Sequence, residues 1–445
     1  MPRICFHCPP VLLAGLLTVM PVVQQPGGAP LTSLLRARAR EMLKTIRSAI
    51  QGSYYDPAFR GLDLDKHFKT ADTKLESAPT LAAAYAIIAQ ALVEFDDSHT
   101  YFIPPENRTV VEYGWQMAMI GDECYVQAVK PGTDAETKGL KPGDRLRQIE
   151  GFTPTRRDLW KIRYYYNLLN PRRTMKVMAE SPGAPARPLE IQAKITTLPQ
   201  TVRVSVESFF EGDMREFGER SVRRTSRAQR IGEITIWRLA SFDFPPNDVD
   251  AQFDAVAKGA TSLILDLRGN PGGLVKTLEQ LAGRLFEKDV KIADMKGRKS
   301  SKPSLAKSRR LPFTGRIVAI VDSESASAAE ILARVLQLEK RGVVIGDRSS
   351  GSVMQGALLM DLLRMPSGPD DLVVMPYGFS VTTADVIMAD GKSLEHVGVT
   401  PDELLRPAPA DLAAGRDPVL ARAAAILGVT LDPTAAGKIF PPEWR

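Results

Sequence analysis

Cysteine and histidine are scarce in these 445 residues, with only three of the first and four of the second. Cys5 and Cys8 sit in the first ten positions and Cys124 stands alone in the rest, so no disulfide framework can staple the body and the fold must rest on its cores. Four scattered histidines, no His-Glu-x-x-His and a single cysteine after the first ten positions exclude the usual zinc-hydrolase patterns in the body. No charge sign predominates either: 58 Lys and Arg against 52 Asp and Glu leave a net +6, which gives no footprint for nucleic acid. The densest basic run, KGRKSSKPSLAKSRR at 296–310, lacks the interleaved aromatics on which bases stack and reads as a solvated loop. Neither G-x-G-x-x-G nor a Gly-Lys-Ser/Thr loop occurs, and no cofactor is expected. Beyond the first thirty residues, no apolar run is long enough to span a bilayer.

A chain of this length needs two or three cores. Residues 1–30 hold one early Arg and then an apolar stretch that breaks into Gly and Pro, the pattern of an export signal or an uncleaved membrane anchor. Apolar residues then recur at three and four positions, as in Leu35, Ala39, Met42, Leu43, Ile46 and Ile50 and again in LAAAYAIIAQALVEF, which predicts a helical domain over 31–108. Short alternating runs such as Tyr125-Val126-Gln127-Ala128-Val129 predict a small antiparallel domain over 110–198. A polar, Arg-rich connector follows over 199–230. From Ile231 the strand-like IGEITI, the buried-strand run SLILDL and the apolar IVAIV alternate with helical spacing, the mark of a mostly parallel sheet with crossover helices over 231–404. The tail, 405–445, offers one amphipathic segment at 417–427.

Two segments could carry chemistry on such a scaffold. SESASAAEI, with Ser327 at its second SA pair, lies where a buried strand gives way to a helix. Backbone N–H groups and the helix dipole there favour developing negative charge, although a serine that merely caps the helix fits the same place. Upstream, DLRGNPGGL ends a strand in a Gly-rich turn of the kind that presents N–H groups to an anion.

The order of DLRGNPGG, SASAAEI, KRGVVIG and EHVGVTPD resembles the carboxy-terminal-processing (tail-specific) serine proteases. PGTDAETKGLKPGDRL, within 131–146, is similar to the turn of a bacterial PDZ domain. The resemblance implies an α/β core of the crotonase or Clp-protease type, with a PDZ-like β domain and an N-terminal helical domain. It also implies Ser327 as nucleophile, with oxyanion donors at Gly272, Gly273 and Ala328. It departs from the family at one point: aligned on Ser327, the position of the usual base lysine holds Ser352.

A serine hydroxyl needs a neighbouring base, so another group must replace the lysine. By resemblance to the tricorn core protease, Ser98-His99 supplies the base as His99 and Glu395 orients it, with Ser98 and Ser352 as supporting hydroxyls. His396, or a displaced Lys340 or Lys392, stays open as the base. The function implied is an exported serine endopeptidase of the periplasm or cell envelope. It would act on polypeptides and engage them through its PDZ-like module, with membrane association through the leader and self-association both open. Two other classes remain: a catalytically silent peptide or ligand binder, for which the missing lysine argues, and a structural envelope protein.

Overall fold

The structure is a computed structural model that describes residues 30–105, 109–197, 226–299, 301–366 and 372–444. The expected leader and the 199–225 part of the connector lie outside the described residues. The chain divides into two compact units, one of Met1–Asn107, Arg163–Pro171 and Gly356–Thr382, the other of Arg108–Ile162, Arg172–Gln355 and Thr383–Arg445.

In the first unit the predicted helical stretch is three helices, Ser33–Ser53, Leu64–Glu76 and Leu81–Val93. Each begins where a short polar side chain accepts a first-turn N–H: Thr32 from Leu35 at 3.3 Å, Asp63 from Lys66 at 3.0 Å, Thr80 from Ala83 at 3.2 Å. Their apolar stripes meet around Met42, Ile46, Ile50, Phe68, Leu75, Ile88, Leu92 and Phe95. Segments 163–171 and 356–382, expected in the β domain and the core, pack with these helices because Leu169, Leu363, Tyr377, Phe379 and Val381 are buried there. The short strand Tyr101–Ile103 pairs antiparallel with residues 378–380.

The second unit holds an antiparallel five-stranded sheet in sequential order, Trp115–Ile120, Glu123–Val129, Arg145–Ile149, Thr174–Glu180 and Arg187–Gln192. It also holds a six-stranded sheet in the order Glu403–Leu404, Val343–Gly346, Arg316–Val321, Ser262–Asp266, Ile234–Arg238 and Arg227–Ile231. All its pairings are parallel except that of the last two strands, a hairpin about Gly232 and Glu233. The sheet therefore starts at Arg227, inside the expected connector. The segment 231–236, expected as one strand, is instead the end of one strand, the turn at Gly232 and Glu233, and the start of the next.

Ser262–Asp266 is buried at every position because both faces are covered. Leu263, Leu265, Ala319 and Val321 face a core that contains Leu278 and Leu281 of the helix Val275–Gly283 and Leu332 and Leu336 of Ala328–Leu338. Ile264, Val318, Ile320 and Ile345 face the C-terminal helices through Val419, Leu420, Ala423 and Ala424. The C-terminal region is thus a layer of the fold, with helices at Pro409–Ala413, Pro418–Ile426 and Pro433–Gly437, not the single segment expected. Short Ala-rich helices gave little periodic signal.

Arg268 joins this layer to the sheet. Its Nε and Nη2 grip Asp266, fully buried at a strand end, at 2.8 Å each, and Nη2 reaches Asp417, the cap of the Pro418–Ile426 helix, at 2.7 Å. Burial alone would raise the Asp266 carboxyl, but the Arg268 and Arg238 guanidinium groups hold it below the usual carboxylate range. Arg268→Ala leaves that carboxylate buried without its fork. Chemical denaturation is expected to show a loss of about 3–5 kcal/mol, and Arg268→Lys to recover only part of it, since an ammonium cannot make the bidentate contact.

Candidate active site

Three loops at the carboxyl ends of neighbouring parallel strands converge, as open α/β sheets generally arrange their sites. They follow Ser262–Asp266, Arg316–Val321 and Val343–Gly346.

The Gly-rich turn after the first strand is organised by Asn270, a fully buried amide. Its Nδ2 donates to Leu239 O at 2.9 Å and its Oδ1 accepts the N–H of Gly272 at 2.9 Å. The N–H of Gly272, an expected oxyanion donor, is thus taken up by this side-chain oxygen. The task of Gly272 is clearance: at φ +98° its backbone lies so near the nucleophile loop that a Cβ would fall 2.5 Å from Ser327 Cβ and 2.9 Å from Ala328 N. The N–H groups of Gly273 and Ala328 have no hydrogen-bond partner among the described residues.

The loop after the second strand is tied to this turn. Ala326 N donates to Asn270 O at 2.8 Å, and Ser325 Oγ donates to Leu267 O at 2.8 Å. Ser327 then takes φ 53° and ψ −118° at the head of the helix Ala328–Leu338. A non-glycine residue there carries backbone strain of roughly 1–3 kcal/mol, which persists only where surrounding bonds enforce it.

Those bonds centre on Glu330, a fully buried carboxylate one turn along the helix. Its Oε1 accepts Ser349 Oγ at 2.5 Å and Gly351 N at 2.7 Å; its Oε2 accepts Ser352 N at 2.9 Å and Ser327 N at 3.1 Å. Ser327 N also reaches Ser352 O at 3.0 Å, so the residue at the family's lysine position touches the candidate nucleophile through its backbone. The Ser352 hydroxyl points to Ser350 Oγ, 2.8 Å away. Glu330 was not singled out in the sequence, although S-x-x-E at 327–330 is the pattern of a glutamate reaching back to a helix start.

Glu395 joins the same cluster. Its side chain is 7% exposed, with Oε2 accepting Val353 N at 2.8 Å and Oε1 3.8 Å from Nε2 of His396. The turn that carries it is sewn to the serine loop by His396 N on Gly351 O at 2.7 Å and by Val399 N on Ser349 Oγ at 2.6 Å. The His396 ring is 40% exposed. Of the two displaced lysines, Lys340 follows the far end of the Ala328–Leu338 helix, roughly 20 Å along the axis from Ser327 at 1.5 Å per residue, and Lys392 is exposed. The second unit therefore gathers Ser327, Ala328, Gly272, Gly273, Ser352 and Glu395. Ser98 and His99 belong to the first.

There, Asp97 is a buried hub that accepts Tyr54 Oη at 2.8 Å, Thr382 Oγ1 at 2.5 Å, Thr100 Oγ1 at 3.0 Å and His99 N at 3.0 Å. This fixes the backbone under His99, whose Nδ1 lies 2.7 Å from Ser98 Oγ. Loss of solvent pushes the imidazole below its ordinary pKa, and the Asp97 charge opposes that only in part, so the ring is neutral at pH 7. Among the described residues no cluster of three or more His, Cys, Asp or Glu is placed to hold a metal ion.

A strained serine at a helix start, set beside a glycine turn and two unpartnered amides on a parallel sheet, is the apparatus of a serine-type hydrolase. Residues 230–405 match Peptidase family S41, whose members are serine-type peptidases. Its similarity to the chloroplastic C-terminal processing peptidase of Tetradesmus obliquus is 26% identity over 386 residues, covering 81% of this chain and 75% of that one. To the carboxyl-terminal-processing protease of Synechocystis it is 24% over 333 residues, covering 72% and 70%. Among solved structures, mature CPAF complexed with lactacystin superposes with a TM-score of 0.59 at 13% identity, covering 86% of this chain and 96% of that one. This last likeness is one of fold.

Burial pushes the Glu330 carboxyl up to about 7, against four donated hydrogen bonds. Because the folded state holds this proton more tightly than the unfolded chain, the contribution to stability is full below about pH 4.5 and is lost as the pH rises toward 7. Glu330→Gln exchanges the acid's single O–H for an amide with two N–H donors and cannot ionise. Denaturation is expected to show a loss of about 1–3 kcal/mol that narrows between pH 4.5 and 7; a deficit that widens over that range contradicts this account.

Proposed function

We propose that this chain is an exported serine endopeptidase in which Ser327 is the nucleophile, His99 the general base and acid, and Glu395 the carboxylate that orients the imidazole. The observation that carries the reading is the enforced left-handed backbone of Ser327 next to the N–H groups of Gly273 and Ala328, which have no partner among the described residues. Ser327 Oγ attacks the scissile carbonyl while His99 Nε2 takes the proton, the oxyanion forms against those two amides, and His99 returns the proton to the leaving amine. Water then attacks the acyl-enzyme by the same relay. For Nε2 to accept, Nδ1 must carry the proton, and Ser98 Oγ supports that tautomer as an acceptor.

Three points support the imidazole over an amine. Ser352 stands at the lysine position, Lys340 lies a helix length away, and the neutral state of His99 suits a base. The five-stranded sheet is a PDZ-like module that engages extended polypeptide by strand addition. The apolar leader directs the enzyme across or onto a membrane. Relatives named for C-terminal processing make chain ends the substrate class to try first.

A fluorophosphonate probe is expected to label Ser327, with loss of labelling in Ser327→Ala and a reduction of about 10³-fold or more in His99→Ala. Wild-type protein that neither labels nor cleaves denatured casein overturns the enzyme reading in favour of a peptide binder. In the active enzyme, kcat/KM is expected to fall on the acid side with an apparent pKa below the ordinary imidazole value of 6.5. An acid limb at about pH 7 to 8, where a tuned lysine titrates, contradicts the histidine assignment.

A further inference from the structure

The five-stranded sheet touches the catalytic loops at one buried acidic residue. Asp347, 6% exposed, lies two residues before the 349–352 loop that fills the Glu330 carboxylate. Its Oδ2 accepts Gly121 N at 2.8 Å and Arg156 Nη2 at 2.7 Å, and its Oδ1 lies 3.0 Å from Arg406 Nε. Gly121 is the turn between the strands Trp115–Ile120 and Glu123–Val129. Arg156, from the same antiparallel domain, closes the joint by donating from Nε to Gly121 O at 2.9 Å and from its terminal nitrogens to Arg348 O at 3.0 and 3.1 Å. Two residues back along the first strand, Met119 O accepts Ser323 Oγ at 2.6 Å, and Ser323 opens the loop that ends in Ser327. At Gly121, φ is +61° and a Cβ would strike the Arg406 guanidinium, so this turn admits only glycine without rearrangement.

We propose that Asp347 is a positioning residue of the hydrolytic site: by clamping the Gly121 turn and Arg156, it makes the five-stranded sheet a fixed support of the 349–352 loop and hence of Ser327. This rests on the protease reading for its catalytic consequence, but the joint itself does not. Asp347 touches neither nucleophile nor oxyanion pocket; it acts through Arg348 to Ser352, whose amides and carbonyl hold Glu330 and Ser327 N. A peptide-binding module joined through a buried carboxylate and two guanidinium groups shares the precision of the loop it braces, instead of swinging free of it.

The test uses the full chain with Arg156→Ala, Arg156→Lys and Asp347→Asn, read by amide hydrogen exchange and by peptide hydrolysis. Faster exchange is expected in 349–352 for Arg156→Ala and Asp347→Asn, together with a fall in kcat of about tenfold to a hundredfold while KM changes little, as for a displaced catalytic group. Arg156→Lys keeps the charge but not the fork and is expected to fall between. Wild-type exchange in 349–352 in both Arg156 variants overturns the proposal even if the wild type proves inactive, whereas an inactive wild type with faster exchange in the variants overturns only the protease reading. Wild-type kcat in both Arg156 variants also overturns it. Should Asp347→Asn fail to fold, the joint remains testable through the Arg156 pair.

Discussion

The burial of one carboxylate governs the geometry of this site. Glu330 is out of water, and each of its oxygens is occupied by a backbone N–H that can only donate. Satisfying it forces the start of the Ala328–Leu338 helix, the 349–352 loop and the amide of Ser327 into a single arrangement, and that arrangement holds Ser327 in a backbone conformation its own Cβ disfavours. Glycine completes the condition, because only a residue without a side chain at 272 lets the oxyanion turn approach Ser327 so closely. Strain, clearance and satisfied burial are three views of one constraint.

The sheet beneath supplies rigidity. Strands buried on both faces cannot shift register without exposing apolar side chains or stranding amides, so loops at their carboxyl ends start from fixed points. Two charged joints extend that stiffness outward. Arg268 carries it to the C-terminal helices through Asp266 and Asp417, and Asp347 carries it to the antiparallel domain through Arg156. Both joints lie within a few residues of a loop that lines the site, and both rely on guanidinium forks whose planar geometry an ammonium cannot copy.

Much of this was legible where the signal was local. The buried-strand runs, the Gly-rich turn and the serine at the helix start lie within short windows, and their physical meaning follows from strand period, glycine freedom and helix-end chemistry. The role of Gly272 was not legible, because which amide of a glycine pair stays free depends on where Asn270 Oδ1 points. Glu330 hid in plain view, since a glutamate in a first turn is ordinary until its burial is known. The C-terminal helices escaped because their apolar face is mostly alanine and sets no strong period. The segment around 377–381 escaped because a strand-like run does not announce which core its Tyr377, Phe379 and Val381 will enter.

The proposed imidazole base is the claim on which the chemistry turns, because a strained hydroxyl without a base is only a strained hydroxyl. The most direct test is a crystal structure of the Ser327 phosphonate adduct, in which the nitrogen that serves as base is expected within hydrogen-bond reach of the adduct oxygens. The account predicts Nε2 of His99 at about 2.6–3.2 Å, with its Nδ1 side facing Glu395 or Ser98. The imidazole of His396 or a lysine ammonium in that place would contradict it.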